Sequence, residues 1–160
     1  MNQNKATEQC VKAANRQFYD VVADRYEEID GRRSPKLQAW LRNNLAGIRQ
    51  RAPDGRLLDI GTGSGLVTRC AEGLFASRVG MDLSAKILAA NRKALDLAVS
   101  ADVDRLPFAD NSFDVVTCFA VLHHLYDFEG LVSEVARVLR PGGIFYSDHD
   151  MDAAFNRRFR

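Results

Sequence analysis

Cysteine, proline and tryptophan are all scarce in this chain of 160 residues, at three, four and one. Cys10, Cys70 and Cys118 form no CxxC pair and no cluster with histidine. That excludes a disulfide framework and a cysteine–histidine zinc centre, and it suits a reducing compartment. Long apolar runs are missing too. The most apolar window, Val115–Leu122, contains Thr117 and is far too short to cross a bilayer. The first ten residues are polar, unlike a signal sequence. These features lead us to expect a soluble cytoplasmic protein with no membrane span. Net charge is nearly absent as well: 22 Lys and Arg against 21 Asp and Glu leave +1. Such a balance gives no field for nucleic acid or an anionic membrane. Repeats and low-complexity tracts do not occur. The remainder, 46% hydrophobic and 27% charged, suffices for one core of ordinary size and hence one domain.

The first 55 residues read as helical. Val11, Ala14, Phe18, Val22, Arg25 and Ile29 recur at intervals of three and four within residues 6–30, a stripe that Arg25 interrupts; Tyr26 lies near the same face, and Gly31 ends the run. Ser34-Pro35 opens a second helix whose stripe is Leu37, Trp40, Leu41, Leu45 and Ile48, and Pro53-Asp54-Gly55 closes it. Beyond that point the pattern becomes short apolar runs separated by helices. The expected strands are 56–60, 78–81, 97–101, 113–119 and 144–147. The intervening helices run from Leu66 to about Leu74, from Ser84 to about Lys93, and from Asp127 to Pro141-Gly142-Gly143. Alternation of this kind predicts an α/β, doubly wound parallel sheet covered on both faces.

Chemistry concentrates in LLDIGTGSG (57–65). Glycines between a strand and a helix let the backbone turn sharply and approach a ligand, although a tight turn alone would also want them. The run is GxGxG, with Leu66 where a dinucleotide loop prefers glycine. Asp59, two residues ahead of Gly61, would oppose a pyrophosphate and suits a cationic ligand. Asp82 ends the second strand, where a carboxylate can accept from both hydroxyls of a ribose or simply cap the next helix. Asp102 ends the third strand and could accept from an exocyclic amine, whereas Asp104 and Asp110 read as solvated charges.

In order and spacing, LLDIGTGSG (57–65), VGMDLS (79–84), ADVDRLPFADNSFDVVTCFAVLHHL (101–125) and VLRPGG (138–143) resemble the class I S-adenosylmethionine-dependent methyltransferases. The likeness is to their small-molecule branch, which includes quinone- and lipid-biosynthesis enzymes, and it covers roughly residues 15–149. It implies a Rossmann-like sheet of order 3-2-1-4-5 and transfer of a methyl group from S-adenosylmethionine to a small organic acceptor, releasing S-adenosylhomocysteine. It also implies that Asp59, Gly61, Thr62 and Gly63 hold the methionine portion and Asp82 the ribose. Leu83 would lie beside the adenine, Asp102 and the Val103 N–H would meet the adenine edge, and Cys118 and Phe119 would line the methionine and sulfonium region, partly through backbone carbonyls. Tyr26 resembles a tyrosine that helps close the pocket. No metal is implied. His123, His124 and His149 are the candidates for a general base, with His123 and His149 carried forward, and the sequence does not choose between them.

The chain departs from the family at its end. Seven strands are usual, yet Arg160 follows shortly after the fifth. The expected organisation is therefore a single domain over 1–160. A helical cap spans 1–55, the cofactor-binding core spans 56–149, and a truncated segment spans 150–160. Three explanations stand side by side: a piece of a longer enzyme, a homo-oligomer or partner covering the fifth-strand edge, or a binding domain without turnover. Nicotinamide chemistry is disfavoured by Leu66 and the three acids. Nucleic-acid methylation is disfavoured by Cys118-Phe119-Ala120-Val121 where an Asn/Asp-Pro-Pro-aromatic motif would stand.

Overall fold

The structure, a computed structural model, describes residues 3–26, 34–52 and 55–150. The expectations for Gly31, for the turn at Pro53-Asp54 and for residues 151–160 lie outside the described residues. Five apolar runs form five strands: β1 Arg56–Ile60, β2 Ser77–Asp82, β3 Leu97–Ser100, β4 Phe113–Phe119 and β5 Leu139–Asp148. Every neighbouring pair is parallel, in the order β3-β2-β1-β4-β5. The doubly wound sheet expected from the alternation forms, in the Rossmann-like order that the resemblance implies. Its helices are α1 Gln3–Val22, α2 Pro35–Arg49, α3 Leu66–Cys70, α4 Ala85–Asn91 and α5 Glu129–Val138.

Period-two alternation along the central strands divides the core. Leu57 and Val115 face one side, where they pack with Leu41 and Leu45 of α2 and Leu66 and Val67 of α3. Leu58, Ile60, Val116 and Cys118 face the other, against Leu131, Val135 and Val138 of α5. Burying a side chain of this size contributes about 1.5–3 kcal/mol, so these two layers fix the sheet. Strand order reverses between β1 and β4, and the carboxyl ends at such a switch point leave a crevice.

Three expectations need correction. α3 stops at Cys70 instead of reaching Leu74, and the chain turns through Gly73 at φ +73°. The helix before β5 ends at Val138, ahead of Pro141, and β5 starts at once. An irregular register, Phe113 opposite Leu139 but Val115 opposite Ile144, absorbs Arg140–Gly143 there. Most consequentially, α1 does not bury the stripe its periodicity offers. Phe18 is 54% exposed and Ala14 is exposed. The inward face carries Glu8, Lys12, Asn15 and Tyr19. The helix lies over a polar cavity, so the adjoining polar stripe turns inward. Among the described residues no helix is long and apolar enough to cross a membrane.

Candidate functional site

One cavity lies at the carboxyl ends of β1 to β4, about 1060 Å³ including its open mouth. Asp59, Gly61, Thr62, Gly63, Asp82, Leu83, Asp102, Val103, Phe119 and Tyr26 all line it. The parallel sheet brings them together because each strand delivers its last residues to the same rim.

β1 ends in a bend whose glycines take left-handed conformations, φ +65° at Gly61 and +52° at Gly63. Two backbone N–H groups tie the bend to β2: Thr62 N donates to the Met81 carbonyl (3.0 Å), and Gly63 N donates to the Asp82 carboxylate at Oδ2 (3.0 Å). Asp82 Oδ1 accepts from Ser84 N (2.9 Å), and the Ser84 hydroxyl caps α4 through Ile87 N (3.2 Å). Asp82 therefore braces the bend from one oxygen and the next turn from the other. Burial pushes its carboxyl above the usual range, against the pull of those N–H groups. Ser84, not Asp82, caps α4, and Asp82 lines the cavity.

Asp59 is 1% exposed. Opposite it in register, Thr117 of β4 donates its hydroxyl to Asp59 Oδ1 at 2.7 Å. Asp59 Oδ2 and the Thr62 hydroxyl oxygen are buried and have no hydrogen-bond partner among the described residues. Burial pushes the Asp59 carboxyl up to about 7, with the Thr117 hydroxyl and the nearby Thr62 hydroxyl opposing. An orphaned buried acceptor beside a glycine-rich bend fits a ligand bearing a donor or positive charge.

At the β3 end, Asp102 Oδ1 accepts from Asp104 N (3.1 Å). Lys12 reaches from α1 to Asp102 Oδ2 (3.0 Å), to Glu8 (2.8 Å) and to Asp104. Burial works against the lysine charge, but hydrogen bonds to Asp104, Glu8 and Asp102 outweigh it and hold its ionisation above the usual range. Asp104 thus belongs to an ion cluster, not to solvent alone.

At the β4 end, Ala120 adopts φ +57° and its N–H donates to the Asp148 carbonyl (2.8 Å). The chain turns there and lays Val121 over Gly61. Cys118 does not reach the cavity: alternation points its side chain into the α5 layer, fully buried, where desolvation pushes the thiol well up. His123 and His149 are not on the cavity wall either. His123 Nδ1 pairs with Asp150 Oδ1 at 2.8 Å. His149 stacks on Phe119, centroids 4.3 Å apart, on the side away towards Trp40. The histidine that lines the cavity is His124, whose Nε2 is 2.7 Å from Tyr19 Oη. Glu8, Lys12, Asn15 and Tyr19 were missed by sequence reasoning. Their spacing of four, three and four residues was the available signal.

Residues 58–147 match the model of a family described as a methyltransferase domain. The chain is 34% identical over 126 residues to a demethylmenaquinone methyltransferase of Mycobacterium marinum, covering 79% of this chain and 54% of that protein. It is 38% identical over 115 residues to the 27-O-demethylrifamycin SV methyltransferase of Amycolatopsis mediterranei, covering 64% and 41%. Among solved structures, an amino pentose methyltransferase from Micromonospora echinaspora with bound S-adenosylmethionine superposes with a TM-score of 0.68 at 26% identity, covering 81% and 57%. The chain spans about half the length of the curated relatives it matches.

Proposed function

Because this chain belongs to the methyltransferase-domain family, we propose that it transfers a methyl group from S-adenosylmethionine to a small organic acceptor. Bound S-adenosylmethionine supplies an already activated methyl group on a positively charged sulfur. The chain's own residues have three tasks: to bind, to orient and to keep water out. Orientation is the larger contribution, since well-placed reactants reach effective molarities of about 10⁵–10⁸ M.

The assignment of residues follows the cavity. The N–H groups of the bend at Gly61–Gly63, with the orphaned Asp59 Oδ2 and Thr62 hydroxyl, would hold the amino-acid end. Asp82 would accept from the ribose, Leu83 would pack on the base, and Asp102 with the Val103 N–H would meet the base edge. Tyr26 and Phe119 would cover the sulfonium, a cation that an aromatic face attracts. Cys118 is available there through its backbone alone. A cytoplasmic setting suits Cys10, Cys70 and Cys118, all free thiols, and a second copy or partner would suit the β5 edge. Neither a nucleic-acid partner nor a metal enters this reading.

One observation carries the proposal: three strand-end carboxylates and a glycine bend border a single cavity, and one of those carboxylates is buried with an unpaired oxygen. Calorimetric titration with S-adenosylhomocysteine tests it. Saturable one-to-one binding is expected, weakened by about 1.5–3 kcal/mol in Asp82→Ala. A folded sample that gives no saturable heat refutes the proposal. Binding without methyl transfer to any acceptor would instead mark a binding domain.

A further inference from the structure

Phe119 and Asp148 stand opposite each other where β4 and β5 end, and each strand leaves the sheet through a left-handed residue, Ala120 at φ +57° and His149 at φ +62°. The Ala120 N–H donates to the Asp148 carbonyl (2.8 Å), so the two exits are bonded together. Neither residue is glycine, and an L side chain is strained in that conformation. In a continued strand the side chain at 149 would point to the face opposite Phe119. The left-handed backbone brings it onto Phe119 instead, with ring centroids 4.3 Å apart and planes 26° from parallel.

The imidazole is fixed from several sides. Asp148 Oδ1 accepts from the His149 backbone N–H (2.6 Å) and from Nδ1 (3.1 Å), which sets a hydrogen on Nδ1 because a carboxylate only accepts. Tyr146 Oη donates to the other oxygen, Asp148 Oδ2 (2.7 Å). Trp40 of α2 lies against the histidine, centroids 5.4 Å apart. Phe119 is buried and shared between the α2–α3 layer and the cavity wall. Backbone strain persists where surrounding contacts over-determine it, and it gathers at functional positions. Here the strained residue is exposed, and what its conformation places is a backing for one aromatic ring of the cavity.

We propose that His149 is a positioning residue for the methyl donor, acting through Phe119 by fixing that ring against the sulfonium, an inference that rests on the methyl-transfer reading above. His149 stands off the cavity wall, so it exchanges neither a proton nor a hydrogen bond with the ligand. The lever is the charge on sulfur. An aromatic face attracts a cation and not a neutral thioether, and the attraction depends on where the ring stands. A loosened Phe119 therefore weakens the hold on the charged donor more than the hold on its uncharged product. Small shifts matter at this end, since a misplacement of about 1 Å can cost about 100-fold in rate.

S-adenosylmethionine carries the charge and S-adenosylhomocysteine does not, so the ratio of their dissociation constants, measured by calorimetry, isolates the placement of the ring. His149→Gly and His149→Asn remove the imidazole and tolerate a left-handed backbone, and a cooperative thermal transition certifies that each is folded. Both should weaken S-adenosylmethionine about three- to ten-fold and leave S-adenosylhomocysteine within about two-fold of wild type. Phe119→Leu should move the ratio the same way. The double variant Phe119→Leu/His149→Gly should move it no further than Phe119→Leu alone, because residues acting through one contact do not add. Two results overturn the proposal. One is an unmoved ratio in either His149 variant, including parallel losses for the two ligands, which a merely structural role would give. The other is losses that add in the double variant. Wild-type protein that binds neither ligand takes the methyl-transfer reading down as well, whereas wild-type protein that binds both, with an unmoved ratio in the variants, refutes the positioning role alone.

Discussion

Replacing Asp59 with asparagine should stabilise the ligand-free chain above neutral pH while weakening its hold on S-adenosylhomocysteine. Asp59 is 1% exposed, and burial pushes its carboxyl up to about 7, against an ordinary value of about 3.9 in an unfolded chain. Between those values the native state keeps a proton that the unfolded state has released. Stability therefore falls as pH rises, by about 1.4 kcal/mol per pH unit and by about 4 kcal/mol in all as an upper bound. The Asp59→Asn side chain does not titrate, can still accept from the Thr117 hydroxyl, and brings a donor towards the unpaired Thr62 oxygen. Urea unfolding of both proteins from pH 4 to 8 is the assay. The difference in stability should climb through the acid range and level off above pH 7. With slopes of about 1–3 kcal/mol per molar urea, the midpoint at pH 8 should rise by about 1 M or more. A pH-independent difference, or a variant less stable at pH 8, would refute the reasoning. The same linkage reaches the ligand. If a ligand ammonium meets this carboxylate, binding below pH 7 must expel the Asp59 proton. Heats measured in buffers of different ionisation enthalpy should then reveal proton release in the wild type and none in Asp59→Asn.

Two further predictions follow from the cavity wall. In Gly61→Ala, a Cβ would strike the Val121 side chain and would sit at φ +65°. Overpacking and left-handed strain together should cost about 2–4 kcal/mol in thermal or urea unfolding. In Gly63→Ala the nearest atom to the new Cβ is Tyr26 Cε1 at 3.6 Å. Strain alone then applies, about 1–2 kcal/mol, and equal losses in the two variants would contradict the geometry. Lys12→Met should release α1 from the β3 end. A partly exposed ion cluster contributes about 1 kcal/mol, so amide exchange along α1 should quicken roughly five-fold at low salt. The effect should fade at high salt, where the cluster is already screened, and an unchanged exchange rate at low salt would show that the contact holds nothing.

The sheet was legible because its signals are local. Each strand is a short apolar run, and Phe113–Phe119 is bounded in the structure as its pattern implies. The floor of the cavity was legible for a related reason. In a parallel sheet the carboxyl ends share one rim, so Asp59, Asp82 and Asp102 converge once the order β3-β2-β1-β4-β5 is known. What escaped is whatever depends on a distant surface. Periodicity marks α1 as a helix but cannot say which stripe meets the protein, and the polar stripe from Glu8 to Tyr19 prevailed because its counterpart is a polar cavity. Alternation at the end of β4 sends the Thr117 hydroxyl to Asp59 and the Cys118 side chain to the α5 layer, which leaves the Cys118 backbone for the contact the resemblance implies. The histidines were undecidable because their surroundings are set by residues distant in sequence: Asp150 for His123, Phe119 for His149 and Tyr19 for His124.

The two glycines of the bend, read alike in the sequence, do different work. A glycine before a helix suggests backbone approach to a ligand, and Gly63 fits that, since the nearest atoms to the face a side chain would occupy are Tyr26 Cε1 at 3.6 Å and the Gly61 carbonyl oxygen at 3.9 Å. Gly61 does not. Its missing Cβ leaves the volume that Val121 fills, and Val121 is delivered there by the left-handed turn at Ala120, itself tied to the Asp148 carbonyl of β5. The end of β1, the end of β4 and the end of β5 are thus locked in one chain of contacts, and His124 follows three residues after Val121, its N–H bonded to the Val121 carbonyl. A bulkier residue at 61 would therefore displace the wall and the histidine together. Backbone strain at Ala120 is retained at a cost of about 1–3 kcal/mol, and what it secures is the placement of that wall against the bend. The glycine pattern accordingly encodes two separate constraints, one set by the ligand and one by the opposite wall.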